Sequence, residues 1–144
     1  MPWRRMVLAI LLCTALSVAS ELHISGLPNV EELPSVVLGT LFYALMYAVS
    51  VSVLYFISVG VAQLRIPAWI TFPIAFVLIA ATLSYKSMSA YETYEQGGVL
   101  YVVDHHITAA GWDDFERRMI EDFVIASLAG AVIFYRSKGA RSID

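Results

Sequence analysis

The side chains best suited to chemistry are Asp104, His105 and His106, three consecutive residues. Neutral imidazoles together with a carboxylate form a typical ligand set for zinc or copper. The one remaining histidine, His23, lies far away in the chain. These four residues are the candidate metal ligands, and they define one function hypothesis, a metal-binding or redox accessory protein.

Short strands would position these ligands. Residues 99–103 are β-branched, aromatic or leucine, which predicts a strand that ends at Asp104. Residues 22–25 alternate apolar and polar side chains and predict a second short strand. Pairing of the two strands would bring His23 close to the turn. The alternative is a polar turn in which Asp104 bonds its own backbone and the histidines face water.

A strand followed by Asp-His-His resembles the name-giving motif of the DHH phosphoesterases over residues 99–106. The family builds a two-metal site from further acidic and histidine motifs. Those motifs are missing here, so the resemblance does not predict a phosphoesterase. Nucleophile elbows and phosphate-binding loops are also absent from the sequence.

Four runs without Asp, Glu, Lys, Arg or His dominate the sequence, and about twenty apolar residues suffice for a helix to cross a bilayer. The composition is 59% hydrophobic with a mean hydropathy of +0.72, which is far from a soluble domain. We therefore predict an all-α membrane protein, a single polytopic domain of 144 residues built as a small bundle of four transmembrane helices. The predicted spans cover approximately residues 4–22, 35–64, 66–86 and 119–137.

The first of these runs allows two interpretations. Residues 1–5 are short and basic, and residues 6–20 are apolar, which fits either a retained transmembrane helix or a signal peptide cleaved after Ser20. Three spans would remain after cleavage. Glu21, Leu22 and His23 would then form a free amino terminus of a kind that chelates copper.

Small residues recur at four-residue spacing in two predicted spans. Ala44, Ala48 and Ser52 follow this spacing in the second span, and Ala126 and Gly130 follow it in the fourth. Such spacing lets the backbones of membrane helices approach closely. We therefore predict that these five residues are helix-packing positions and that the two helices pack together.

The longest polar segment, residues 87–118, contains the strand and the start of an amphipathic helix. Acidic and basic residues follow each other at i,i+4 spacing from Asp113 onward, opposite an aromatic face. The helix begins either at Thr108 or at Asp113, and we prefer Thr108. The segment is predicted to be a short strand and turn followed by an extended last helix.

The basic residues predict the orientation of the spans. With both termini inside, the inner side holds six of the nine basic residues: Arg4, Arg5, Arg65, Arg136, Lys138 and Arg141. Eleven of the twelve acidic residues, all except Asp144, then lie outside. The positive-inside rule favours this orientation. We predict a bacterial-type inner membrane protein with cytoplasmic termini and with residues 21–34 and 87–118 on the extracytoplasmic side.

Proton relays and transport sites need ionisable groups at membrane depth, and the four apolar runs have none. Nor is there a basic patch for nucleic acid. The first hypothesis is therefore a non-catalytic protein without cofactor, acting by contact with other membrane proteins or by self-association as an accessory or assembly subunit. The metal-binding hypothesis ranks second, and the hypothesis of a transporter or channel ranks last.

Overall fold

The computed structural model describes residues 2–135 and is mostly helical (78%). Four helices and three strands follow each other within this range: α1 (Pro2–Ser25), α2 (Leu33–Ala62), α3 (Ala68–Ser89), β1 (Thr93–Gln96), β2 (Val99–Val103), β3 (His106–Ile107) and α4 (Ala109–Phe134). A 3-10 turn, Val30–Glu32, precedes α2. The predicted class, helical with a small strand and turn element, is confirmed.

Three helices of the described chain are long and apolar enough to cross a membrane: Trp3–His23, Val30–Ala62 and Ala68–Ser89. They correspond to the first three predicted spans. The last helix, α4, begins in the polar segment and carries its charges in its first half. The predicted fourth span, residues 119–137, therefore coincides with only the second half of α4, and residues 136–137 lie outside the described residues.

The strand predicted for residues 22–25 is wrong, because α1 continues as a helix to Ser25. Gly26 ends this helix with φ 81, and its N–H donates to the carbonyl oxygen of Leu22 at 3.0 Å. A glycine in the left-handed region is the usual C-terminal cap of a helix. The pairing proposed to bring His23 to β2 is therefore also wrong, since β2 pairs with β1 and β3.

A tight turn connects α2 with α3, as predicted. The N–H of Leu64 donates to the carbonyl oxygen of Val61 at 2.8 Å, and Arg65 takes a left-handed φ of 64°. Pro67 precedes the first residue of α3, where a missing N–H costs little. Connections this short are typical of helices that follow each other in bundles.

The chain divides into two compact units, Met1–Pro73 with Ile125–Asp144, and Ile74–Val124. The first, which we call the helical unit, contains α1, α2, the start of α3 and the second half of α4. The second, the sheet unit, holds the antiparallel sheet of order β1-β2-β3 and the helical turns that flank it.

A two-residue turn joins β1 to β2. Gly97 and Gly98 have φ values of 60° and 80°, the conformation that glycine pairs favour in tight hairpins. Strand β1 was not predicted from the sequence, although two glycines before an apolar strand are a hairpin signal. The register of β1 against β2 shifts between Tyr94 and Glu95, which marks a bulge.

Candidate functional site

The Asp-His-His stretch forms the turn between β2 and β3. Asp104 and His105 are its two central residues, with φ values of 48° and 63°, and Val103 pairs with His106 across it. Aspartate tolerates the left-handed region better than most residues. The N–H of His105 donates to the carbonyl oxygen of Glu92 at 3.1 Å and so ties the turn to the start of the sheet. A structural role thus accounts for the conformation of this stretch.

The candidate metal ligands are all exposed. Asp104, His105 and His106 lie at the hairpin turn, and His23 lies in the last turn of α1, in the other unit. Within residues 2–135, no group of three or more His, Cys, Asp or Glu side chains is close enough together to hold a metal ion. Metal binding by these residues stays a prediction, without a cluster in the described chain to support it.

Thr108 connects the sheet to α4. Its Oγ1 donates to the carbonyl oxygen of Leu100 at 2.7 Å and accepts the N–H of Gly111 at 3.1 Å. A threonine that accepts an N–H from the first helical turn is an N-cap. The preferred helix start at Thr108 is therefore confirmed.

Gly111 allows α4 to lie directly on the sheet. A Cβ at this position would fall 2.7 Å from Cγ2 of Ile107 and closer still to the carbonyl oxygen of Tyr101. Real Cβ atoms essentially never approach so closely. Gly111 is itself buried, as is Val102 in β2. Although glycine has a low helix propensity, the contact between α4 and β2 thus requires it at this position.

Aromatic rings line one side of the sheet unit. Tyr91 and Tyr94 have ring centroids 5.1 Å apart, and those of Tyr94 and Tyr101 are 5.7 Å apart. These rings, together with Asp114 and Arg118, line an open cavity of about 370 Å³. The same unit leaves large apolar side chains exposed, including Tyr91, Val99 and Leu100 at 41–48%.

Ion pairs organise the charged face of α4. Arg118 Nε and Arg117 Nη2 donate to the two carboxylate oxygens of Asp114 at 2.8 and 2.6 Å, and Arg117 also pairs with Glu121 at 3.5 Å. Burial alone would raise the pKa of Asp114, but the two arginines hold it below its ordinary value. Asp114 is therefore a charged residue held by ion pairs within its own helix.

In the helical unit, α1 packs on α2 through small residues. Ala9 and Cys13 are fully buried, and Ser17 and Tyr47 share a hydrogen bond of 2.5 Å between their hydroxyl oxygens. Ala9, Cys13 and Ser17 follow each other at four-residue spacing, so the same pattern that we read in α2 and α4 could have identified this face. On α2 the fully buried positions are Val51, Leu54 and Ser58.

The predicted packing residues of α4 lie inside the helical unit. Ala126 is fully buried, and a Cβ on Gly130 would be in contact distance of the Phe72 side chain at 3.4 Å and the Trp69 carbonyl oxygen at 3.5 Å. The nearest neighbours of Gly130 thus belong to α3. A ring contact joins α4 to α2, because Tyr55 stacks on Phe134 with centroids 5.9 Å apart.

The predicted packing residues of α2, Ala44, Ala48 and Ser52, are half-buried. The hydroxyl group of Ser52 forms a hydrogen bond within its own helix, because its Oγ donates to the carbonyl oxygen of Ala48 at 2.7 Å. A hydroxyl that bonds its own helix needs no partner in lipid. Close packing along this stripe stays a prediction.

Comparison of the chain with protein families, with curated proteins and with solved structures finds no match.

Proposed function

We propose that the chain is a non-catalytic integral membrane protein that acts by contact with other membrane proteins, as an accessory or assembly subunit of a larger complex. One observation carries this proposal: the sheet unit exposes Tyr91, Val99 and Leu100 to 41–48%. Leu100 pairs across the sheet with Glu95, a charged residue that keeps this strand out of hydrocarbon. Lipid tails cover the apolar faces of membrane spans, whereas a protein partner is needed to cover exposed apolar side chains beside charges.

We infer four transmembrane helices, α4 included. The composition of α4 does not meet the requirement for a span, but its packing supports one. Ile125, Ala126, Ala129 and Ile133 are buried within the helical unit, whose other helices are long and apolar. A helix end enclosed by membrane-spanning neighbours lies at the same depth as they do.

We further propose that both termini are cytoplasmic in a bacterial-type inner membrane, with residues 21–34 and 87–118 on the extracytoplasmic side. The arrangement of the helix ends supports this orientation. Arg5 Nη1 donates to the carbonyl oxygen of Tyr135 at 2.5 Å, so the start of α1 and the end of α4 meet. Arg4 and Arg5 then lie at the same end as Arg65, which concentrates basic charge on one side.

The contact proposal is tested at Leu100, one of the exposed apolar residues of the sheet unit. The tagged chain is purified in a mild detergent from its own membranes, and the size of the complex is measured for the wild type, Leu100→Glu and the matched control Glu116→Gln. Leu100 and Glu116 are both exposed residues of the sheet unit. We expect a defined complex larger than the chain, lost in Leu100→Glu and kept in the control. A wild-type chain that elutes alone, or a complex that Leu100→Glu leaves intact, contradicts the proposal.

A further inference from the structure

A cavity of about 490 Å³ opens at the end of the helical unit where four helix ends meet. Its lining includes Arg5 near the start of α1, Ala62 at the end of α2, Ala68 at the start of α3 and Phe134 at the end of α4. Tyr55, Val59 and Ile133 complete the wall. Among the described residues 2–135, its lining is therefore mainly apolar and includes one cationic group, that of Arg5.

The guanidinium of Arg5 has capacity for an anion. Arginine carries five N–H donors and stays charged at every physiological pH. One donor of Arg5 is engaged by the carbonyl oxygen of Tyr135, at 2.5 Å. This bond fixes the position of the exposed side chain, and the planar fork suits bidentate binding of a phosphate.

A largely apolar cavity lined by the guanidinium of Arg5 fits one class of ligand, an anion that carries hydrocarbon. Basic pockets between membrane helices on the cytoplasmic side bind the headgroups of acidic lipids. We propose that this cavity binds an anionic phospholipid, with the phosphate on Arg5 and an acyl chain along Val59 and Ile133. The proposal rests on the membrane placement proposed above, with this end of the helices inside.

The test measures lipid binding by the full chain in non-ionic detergent. A soluble short-chain phosphatidylglycerol is titrated while bound lipid is counted by native mass spectrometry and the melting temperature is recorded. Short-chain phosphatidylcholine and inorganic phosphate are titrated in parallel. Arg5→Gln keeps a hydrogen-bond donor for Tyr135 but removes the charge. The control is Arg4→Gln, since Arg4 lies beside the ring of Trp3, 5.6 Å from its centroid.

We expect the wild type to bind phosphatidylglycerol in preference to phosphatidylcholine, and Arg5→Gln to weaken this binding about tenfold, as the loss of one charge-assisted phosphate contact predicts. Arg4→Gln should bind as the wild type does. Equal binding of the two lipids, or unchanged binding in Arg5→Gln, would overturn the proposal. Inorganic phosphate that competes as strongly as the lipid would show a simple anion site and would overturn the lipid assignment.

A second variant covers the case in which Arg5→Gln does not fold. Val59→Phe keeps the arginine and narrows the cavity, so it should lose the phosphatidylglycerol adduct, and an unchanged adduct contradicts the proposal. Failure of the membrane placement is recognised separately, because the chain would then stay in solution without detergent after membranes are removed.

Discussion

At the scale of single residues, Gly111 illustrates how tertiary contact overrides helix propensity. Alanine in place of glycine normally stabilises a helix by about 1 kcal/mol. Because a Cβ here would collide with the backbone of Tyr101, we expect Gly111→Ala to lower the free energy of unfolding by about 1–3 kcal/mol. Denaturation in detergent measures this change in the free energy of unfolding. Gly39→Ala is the control, since a Cβ there meets no atom within 4 Å. A stabilised Gly111→Ala would contradict the contact between α4 and β2.

Asp114 should make stability depend on pH in the acidic range. Folding lowers its pKa, so its contribution is present at neutral pH and is lost as the pH falls below about 4 and through the folded-state pKa. Because both arginines are substantially exposed, at 43% and 61%, we expect Asp114→Asn to cost about 1 kcal/mol or less at pH 7. The difference from the wild type should narrow at pH 3. Measuring the free energy of unfolding of both proteins at the two pH values tests this prediction, and the variant of the exposed residue Asp113, Asp113→Asn, is the control. A difference in stability that does not change with pH would contradict the prediction.

At the scale of elements, added volume should destabilise the protein on the buried side of α4 but not on its exposed side. Ala126 is fully buried, whereas Ala131 is exposed on the same helix. We expect Ala126→Leu to destabilise the protein by about 1–3 kcal/mol through overpacking and Ala131→Leu to change the stability little. Melting temperatures of the two variants in one detergent decide it. Equal melting temperatures would mean that the second half of α4 does not pack inside the helical unit.

The small-residue stripe of α2 is tested by Ala48→Leu. If a helix backbone lies close to Ala48, the larger side chain should lower the melting temperature in detergent, because membrane helices associate through close contact at small residues. The half-buried position of Ala48 makes the expected loss smaller than for Ala126. A melting temperature equal to that of the wild type would show that this stripe faces lipid.

The sequence predicted the long elements well and the contacts between them poorly. Charge-free runs located α1, α2 and α3, and Thr108 located the start of α4, because these signals are local. His23 was wrongly placed in a strand because the alternating pattern of residues 22–25 is a short signal. The helix that precedes these residues continues through them and ends only at Gly26. The need for Gly111 depends on Tyr101, ten residues earlier in another element. Hence no local pattern could reveal it.

At the scale of the whole molecule, the proposed orientation predicts which loops are accessible from outside. Leu27 and Leu64 are exposed, at 89% and 72%, while Cys13 is fully buried and should not react. In intact cells, a membrane-impermeant thiol reagent should label Leu27→Cys but label Leu64→Cys only after the membrane is opened. Tyr135→Cys should behave like Leu64→Cys if α4 crosses the bilayer. Labelling of Leu64→Cys in intact cells would indicate the inverted topology. If Tyr135→Cys is labelled in intact cells and Leu64→Cys is not, α4 does not cross the bilayer and the protein has three spans.

The bulge in β1 bears on how the protein avoids unwanted assembly with copies of itself. β1 is an edge strand of the described sheet, and a flat edge of this kind invites strand-to-strand aggregation. The register shift between Tyr94 and Glu95 twists the edge, and the carboxylate of Glu95 adds repulsion between identical copies. A partner of the kind proposed above should therefore recognise the side chains of the sheet unit without extending the sheet. For the same reason, the chain should resist fibre-like self-association through β1.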